Sequence, residues 1–205
     1  MKKFIVSLVG PIGSGTTSAR NILQNFGFFG YSYGSQVAEY ISYDVSRGKI
    51  KRDNLQFWGY RALEVERDFN HWDKRIVERV KASDSLNGDS RGIVLDSLKY
   101  PFQVSFWREF ARKRGYDFFL IGINAPKDLR CDRIVRRARN GDCKNSEEFE
   151  IADQRDLDGY RRNIGQDTLN CMRRCKFDFR VNNDLSEQAF ESSLIDYFKN
   201  AGVIS

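Results

Sequence analysis

Short apolar runs alternate with amphipathic stretches along the chain. Four runs predict strands buried on both faces of a sheet, because branched and aromatic side chains dominate residues 4–9, 92–96, 118–123 and 177–181. A helical pattern follows each run, as in residues 17–26, where apolar side chains recur every three or four positions. Strands that alternate with helices favour a three-layer α/β domain with a parallel central sheet.

Prolines and glycines mark the ends of the predicted helices. Pro101 opens a helix that Gly115 closes, and Pro126 opens the next one. Between the first two units lies a polar and aromatic stretch, residues 31–90, with helical patterns but no linker-like composition. We interpret this stretch as a helical insertion within one domain that spans residues 1–205.

The composition is that of an ordinary folded domain. The chain has 205 residues, of which 40% are hydrophobic and only 3 are proline, and this excludes disordered and collagen-like classes. No run approaches the roughly 18 apolar residues that span a bilayer, so we expect a cytoplasmic protein with no membrane partner. Four cysteines without a C-x-x-C pair and a single histidine, His71, argue against a zinc knuckle and a Cys/His catalytic pair.

The charge balance favours anionic partners. Lysine and arginine number 34 against 28 aspartates and glutamates, which gives a formal net charge of +6. Nucleotides, nucleic acids and acidic membranes all carry the complementary charge, and a basic but merely solvated surface gives the same total. The sequence lacks the RNP-type aromatic pattern and a helix-turn-helix signal, so a nucleic-acid partner is not favoured.

A glycine-rich loop joins the first predicted strand to the first predicted helix. Its residues are Gly10, Pro11, Ile12, Gly13, Ser14, Gly15, Thr16 and Thr17. Glycines let successive backbone N–H groups turn towards one anion, and the following helix adds its positive N-terminal end. This context indicates a phosphate-binding loop (P-loop) with Thr17 at the position that ligates Mg²⁺. A glycine-rich turn without a ligand is the alternative.

The loop departs from the pattern G-x-x-x-x-G-K-[ST], because Thr16 stands where the pattern has lysine. Losing one cationic donor on a transferring phosphoryl group would cost about 3 kcal/mol, roughly a hundredfold in rate. Either another cation, Lys99 or an arginine, replaces the lysine, or nucleotide binding survives while catalysis fades.

Two charged residues lie at the end of the second predicted strand and just beyond it. Asp96 ends that strand near the carboxyl edge, where ligands of open α/β sheets bind. It is a candidate to hold Mg²⁺ or to accept the proton of an attacking hydroxyl. Lys99 is a candidate to place positive charge over the same cleft. A turn or helix-capping aspartate and an exposed lysine are the alternatives.

Arginines crowd the helix that follows Pro126 and its exit: Arg130, Arg133, Arg136, Arg137 and Arg139. Spacings of three and four form a guanidinium face, and guanidinium groups bind phosphate oxygens in bidentate pairs. We expect Arg133 and Arg137 to be catalytic and Arg136 to bind nucleotide, within a lid region at residues 130–160. A solvated arginine-rich helix and an RNA-facing patch are the alternatives.

The order of these motifs carries a family resemblance over most of the chain. The matching stretches are residues 8–15, 53–56, 94–101, 124–126, 141–142, 147–149, 165–167 and 181–183. Together they resemble the P-loop nucleoside-monophosphate-kinase-like group, which includes archaeal dephospho-coenzyme A kinase-like proteins. The chain also resembles the N-terminal nucleotide-binding portion of some deoxycytidylate deaminase-type proteins.

The resemblance implies a P-loop NTPase fold that binds ATP with Mg²⁺. It implies that the glycine loop holds the donor phosphates, that Asp96 serves the magnesium or the acceptor, and that Asn183 lies near the base. The chain would then phosphorylate a nucleotide or nucleotide-like acceptor. Within the insertion, Tyr33, Arg52 and Gln56 are candidate acceptor contacts, and ordinary helix and loop residues are the alternative. The alternative is a catalytically degenerate module that senses a nucleotide and regulates a partner such as a deaminase.

Overall fold

The computed structural model describes residues 2–44, 52–83, 89–139, 141–159 and 165–204, without the side chains of residues 42–44, 52 and 53. In chain order its elements are β1 (Phe4–Val9), α1 (Thr16–Gln24), β2 (Phe28–Ser32), α2 (Tyr33–Asp44), α3 (Arg52–Val65), α4 (His71–Ala82), β3 (Gly92–Leu98), α5 (Pro101–Arg114), β4 (Asp117–Asn124), α6 (Lys127–Arg137), α7 (Ser146–Asp158), α8 (Thr168–Arg174), β5 (Phe179–Asn182) and α9 (Glu187–Asn200).

The strands form one parallel sheet in the order β2-β3-β1-β4-β5. Every residue of the central strand β1 is buried, and its Ile5 pairs with Ile93 of β3 and Phe118 of β4. The predicted α/β fold is confirmed, and β1, β3, β4 and β5 lie at the four predicted strands. Because all strands are parallel, their carboxyl ends share one edge, and the glycine loop and Asp96 both lie there.

The hydrophobic pattern did not predict strand β2. The segment 31–90, which was predicted as a helical insertion, therefore begins with the last two residues of this strand. The strand is short and lies at the edge of the sheet, and only Phe28 among its five residues is buried. A half-exposed strand lacks the continuous apolar run by which the central strands were recognised. Gly30 also interrupts the pattern, and a Cβ there would lie 2.9 Å from Arg20 Cδ.

Helices cover both faces of the sheet, so the core has two parts. On one face Ala19 and Leu23 of α1 and Phe190 of α9 pack against alternate strand residues such as Val6. The opposite face carries the larger cluster, formed by Ile5, Ile93, Leu95, Tyr33, Val37, Leu63, Trp72, Ile76, Val104 and Trp107 of β1, β3, α2, α3, α4 and α5. Within the described residues, no helix has the length and apolarity needed to cross a lipid bilayer.

The predicted helix boundaries hold at three positions. Pro101 is the first residue of α5, and Gly115 ends that helix with a φ of 67°, in the left-handed region that glycine tolerates best. Pro126 precedes the first residue of α6. Each boundary depends on the backbone preferences of proline and glycine. The sequence pattern was therefore enough to predict these helix ends.

A buried polar cluster joins three helices beneath the carboxyl edge. The Tyr33 hydroxyl of α2 donates to the Asp73 carboxylate of α4, and Trp107 Nε1 of α5 lies 2.8 Å from the same oxygen, Oδ1. Asp73 has no solvent exposure, and its Oδ2 has no partner among the described residues. Burial raises the pKa of Asp73 to about 7, since desolvation disfavours the charged carboxylate.

The raised pKa predicts that the protein loses stability as pH rises from about 4 to about 7. In that window the folded protein keeps the Asp73 proton that the unfolded chain has lost, so the free energy of unfolding falls by up to about 1.4 kcal/mol per pH unit. Asp73→Asn keeps the accepting carbonyl but cannot ionise. Urea unfolding should therefore show Asp73→Asn gaining stability relative to wild type at pH 8 compared with pH 5. Asp196→Asn, at an exposed position, is the matched control. A difference between Asp73→Asn and wild type that is the same at pH 5 and pH 8 would contradict this.

Candidate functional site

A cleft of about 770 Å³ opens at the carboxyl edge of the sheet. We call one part the loop half, lined by Gly13, Gly15, Thr16, Thr17, Asp96, Ser97, Arg133 and Asn183. The other part is the aromatic half, lined by Tyr33, Leu55, Gln56, Trp72, Tyr100 and Gln166. Lys99 and Asp156 also line the cleft. One half thus comes from the glycine loop, β3 and α6, whereas the other comes mainly from α2, α3 and α4.

The glycine loop needs glycine at two points. Gly13 and Gly15 have φ values of 78° and 109°, which side-chain-bearing residues rarely adopt. A Cβ on Gly13 would lie 2.7 Å from the Arg130 carbonyl oxygen, and one on Gly15 would lie 2.3 Å from Asn183 Nδ2. Helix α1 begins at Thr16, directly after these glycines, so its free N–H groups open towards the loop half.

Asp96 and Thr17, predicted as the metal pair, meet at the base of the loop half. Thr17 Oγ1 donates to Asp96 Oδ2 over 3.1 Å, and Arg20 Nη1 lies 3.3 Å from the same oxygen. Ser97 Oγ donates to the other oxygen, Oδ1, over 2.7 Å. Both oxygens of the buried Asp96 carboxylate therefore have donors, which fixes the orientation of the carboxylate beside the loop.

Thr16, at the lysine position, is tied to the neighbouring strand. Its Oγ1 lies 2.9 Å from Ser97 Oγ, and Thr16 is buried. Ser97 has a φ of 72°, a left-handed conformation that costs a residue with a side chain about 1–2 kcal/mol. The strained backbone places the Ser97 hydroxyl between Thr16 and Asp96. Two uncharged hydroxyl groups, those of Thr16 and Ser97, thus lie at the position from which the lysine side chain of the usual pattern would extend.

Lys99 is buried, and its charge is paired with a carboxylate. It is 8% exposed, and its Nζ lies 3.0 Å from the Gly10 carbonyl oxygen and 2.9 Å from Asp156 Oδ1. Asp156, on α7, also accepts a hydrogen bond of 3.2 Å from the Ile12 backbone N–H. The exposed-lysine alternative is therefore wrong. In this structure Lys99 and Asp156 neutralise each other and brace the glycine loop from beneath.

Arg130 braces the same loop from a second side. Its guanidinium forms a buried ion pair with Asp153 of α7 and donates to the Ile12 carbonyl oxygen over 3.0 Å. Ile12 itself packs in a small apolar cluster with Ile134 of α6 and Phe149 of α7. Helices α6 and α7, which carry most of the segment 130–160 predicted as a lid, thus contact the loop directly.

The remaining arginines differ in their surroundings. Arg133 is half-buried, its Nη2 donates to Asn183 Oδ1 over 3.1 Å, and its Nη1 has no partner among the described residues. Arg137 makes a bidentate pair with Asp142 at 2.6 and 2.8 Å. The Arg136 side chain is 82% exposed and lies 3.6 Å from Asp132. These three and the exposed Arg139 line the cleft, but among the four only Arg133 combines partial burial with a nitrogen that has no partner among the described residues.

Asn183 connects Arg133 to the glycine loop. Its Nδ2 donates to the Ser14 carbonyl oxygen over 2.9 Å, and its backbone N–H donates to the Asn124 carbonyl oxygen over 2.7 Å. Arg133 is therefore held beside Gly15 through one intermediate side chain. Partial desolvation lowers the pKa of Arg133, but arginine stays charged at any physiological pH.

The predicted residues converge on this cleft, with a few exceptions. Gly10 and Ser14 are buried and contribute carbonyl oxygens to the bracing contacts rather than to the lining. Tyr33 and Gln56 line the aromatic half, and the side chain of Arg52 lies outside the described residues. Sequence reasoning missed Ser97 and Asp156. Ser97 had a signal, because it follows Asp96 directly, whereas the position of Asp156 depends on how α7 packs.

Comparisons with known proteins find relatives of low identity, among them an adenylate kinase. No protein-family model matches the chain. It is 23% identical over 154 residues to a UPF0200 protein of Thermoplasma volcanium, covering 75% of this chain and 78% of that protein. It is 27% identical over 137 residues to adenylate kinase isoenzyme 1 of Sus scrofa, covering 66% and 65%.

A solved gluconokinase from Sinorhizobium meliloti has the same fold. It superposes with a TM-score of 0.52 at 14% identity, and the superposition covers 98% of this chain and 95% of that one. At this identity the likeness concerns the fold alone. The chain therefore has the kinase-like P-loop fold expected from its motifs, and none of these three proteins supports the expected link to a deaminase.

The bracing contacts predict that Lys99 is needed for stability. Lys99→Met would leave the buried Asp156 carboxylate without its cation, which typically costs about 3–5 kcal/mol. Lys2→Met removes an exposed ion pair with Asp117 and should cost less than about 1 kcal/mol. Urea unfolding of both variants measures the difference. Equal losses would show that the buried pair does not brace the loop.

Proposed function

We propose that this protein is an ATP- and Mg²⁺-dependent phosphotransferase whose acceptor is a nucleotide or nucleotide-like molecule. The observation that carries the proposal is the hydrogen bond from Thr17 Oγ1 to Asp96 Oδ2 at the end of the glycine loop. It joins the hydroxyl expected at magnesium to the carboxylate of the neighbouring strand, on the wall of a cleft large enough for two substrates. The likeness to an adenylate kinase over two thirds of the chain supports the same activity.

The residues present fit a magnesium ion. Mg²⁺ prefers oxygen ligands, keeps several waters and is bound through one or two carboxylates together with substrate phosphates. Thr17 and Asp96 supply a hydroxyl and a carboxylate, and the described residues contain no cluster of three or more acidic, histidine or cysteine ligands. Thr17 and Asp96 would hold the ion, which would neutralise developing charge on the phosphates.

The chain's own groups account for the rest of the donor site. Backbone N–H groups of the loop and of the first turn of α1 bind the phosphates. Lys99, Asp156 and Arg130 hold the loop backbone in place, so the amides need not reorganise during transfer. Asn183 fixes Arg133 at the rim of the loop half.

Arg133 replaces the missing loop lysine in this proposal. Thr16 carries no charge and is tied to Ser97, and Lys99 is neutralised by Asp156. Arg133 lines the same half of the cleft, is partly desolvated and has a nitrogen free of protein partners among the described residues. A guanidinium in that position can bind phosphate oxygens in the geometry that favours bidentate contact.

The aromatic half supports a nucleotide acceptor. Trp72, Tyr100 and Leu55 make it largely apolar, and none of the described side chains assigned to this half carries a charge. Such a lining suits a nucleobase better than a sugar acid or another strongly anionic group. A nucleoside monophosphate would place its base there and its phosphate towards the loop half, and dephospho-coenzyme A offers a base as well.

The proposal is tested by incubating the purified chain with Mg²⁺-ATP and one acceptor at a time, from a panel of nucleoside monophosphates and dephospho-coenzyme A. ADP and the phosphorylated acceptor should form together, and omission of the acceptor should stop both. Calorimetry in the same preparation reports ATP binding. Tight binding without transfer to any acceptor would overturn the enzyme proposal and favour a nucleotide sensor. Absence of ATP binding would overturn both.

Replacing Arg133 tests the source of the missing charge. Arg133→Met should lower kcat/KM about a hundredfold, because one preorganised cationic donor to the phosphoryl group is lost. Arg112→Met is the matched control, since its side chain is 71% exposed on α5 and pairs with Glu109 of the same helix. Equal rates for the two variants would show that Arg133 does not contact the phosphates.

A further inference from the structure

One buried amide in the aromatic half is only partly satisfied. Gln56 of α3 is 3% exposed, and its Nε2 donates to the Ala152 carbonyl oxygen of α7 over 2.7 Å. Its Oε1 is buried and has no hydrogen-bond partner among the described residues. By contrast, Gln103 Oε1 accepts from the backbone N–H groups of Lys99 and Tyr100 at 2.8 and 3.1 Å. Of the two buried glutamines that line the cleft, Gln56 is therefore the one whose carbonyl oxygen is unused among the described residues.

The contact with Ala152 fixes which end of the amide is unused. A backbone carbonyl oxygen can only accept, so the amide nitrogen of Gln56 must face it. Turning the amide over would set two oxygens against each other. The atom of Gln56 that has no partner among the described residues is therefore an acceptor, Oε1.

The surroundings of Gln56 indicate the shape of the group that would meet it. Gly59 lies one helical turn further along α3, and its carbonyl oxygen accepts from Trp72 Nε1 over 2.8 Å. The indole has no other donor, so Trp72 contributes only apolar ring surface to the cleft. Leu55 also lines this region. A flat ring packed on this wall would have the Gln56 amide as its polar neighbour.

We infer that Gln56 selects an acceptor whose ring carries an amino group, and that it accepts a hydrogen bond from that group. The inference rests on the proposed function and names the class of its substrate: nucleotides with an amino-substituted base, in preference to their oxo counterparts. A buried acceptor without a donor is unfavourable, and an amino group arriving from the cleft removes that cost. An oxo group in the same place would bring a second acceptor to Oε1 and leave both unpaired.

Two pairs of acceptors in which an oxo group replaces the amino group test the inference. In each pair the adjacent ring nitrogen changes as well, from an acceptor to an N–H donor. Cytidine and uridine monophosphates form one pair, and adenosine and inosine monophosphates form the other. With Mg²⁺-ATP, the wild-type protein should show at least about tenfold higher kcat/KM for the amino member of its preferred pair, since one unpaired buried group changes rates by that order. Equal values within both pairs, or preference for the oxo members, would overturn the inference.

A substitution assigns the preference to Gln56. Gln56→Met keeps the length of the side chain and removes the carboxamide, so it should reduce the preference to less than about threefold by slowing the amino member. Gln154→Met changes an exposed glutamine of α7 and should leave the preference unchanged. A preference that persists in Gln56→Met would contradict the role of this residue. The wild-type comparison stands even if Gln56→Met fails to fold.

Failure of this inference is distinguishable from failure of the proposed function. If no acceptor is phosphorylated, the phosphotransferase proposal fails, and calorimetric binding of the same four nucleotides still measures the preference. Tighter binding of the amino members, lost in Gln56→Met, would support the role of Gln56 without catalysis. Phosphoryl transfer to the amino-substituted and oxo-substituted nucleotides at equal rates would support the proposed function and overturn the inference.

Discussion

The site depends on one buried arrangement, two ion pairs that meet the glycine loop at Ile12. Asp156 accepts from the Ile12 N–H and pairs with Lys99, and Arg130, paired with Asp153, donates to the Ile12 carbonyl oxygen. Buried ion pairs add little net stability, but losing one partner of a pair is costly, so they enforce a single geometry. Helix α7 thereby fixes the loop, and through Ala152 it also fixes the Gln56 amide.

This arrangement explains how the positive charge of the cleft is distributed. Lys99 and Arg130 have charges that are neutralised beneath the loop, and Arg137 is paired at the rim with Asp142. Thr16 leaves the loop itself without a side-chain cation. Arg133 is oriented by Asn183, and in the proposed function it is the arginine that acts on the phosphates. A loop without its lysine therefore retains a cation at its rim, and preorganisation comes from the supporting helices.

The sequence predicted what depends on local pattern and missed what depends on packing between distant segments. Periodicity identified the buried strands, and parallel strands brought Asp96 to Thr17 at the shared edge. The edge strand β2 escaped because most of it is half-exposed. The burial of Lys99 could not be foreseen, since its partner Asp156 lies 57 residues away and meets it only once α7 has packed. Likewise, the spacing of the arginines along the sequence placed several of them on one helix. It could not predict which of them form ion pairs with aspartates of other segments.

The most direct test of the account is whether a restored loop lysine makes Arg133 dispensable. The measurement is kcat/KM for phosphoryl transfer in wild type, Thr16→Lys, Arg133→Met and the double variant, which together form a double-mutant cycle. The account predicts that Thr16→Lys raises the rate of Arg133→Met at least about tenfold while changing the wild-type rate far less, because the two cations serve the same phosphates. If Thr16→Lys changes kcat/KM by the same factor in wild type and in Arg133→Met, the two positions act independently. That result would contradict the account.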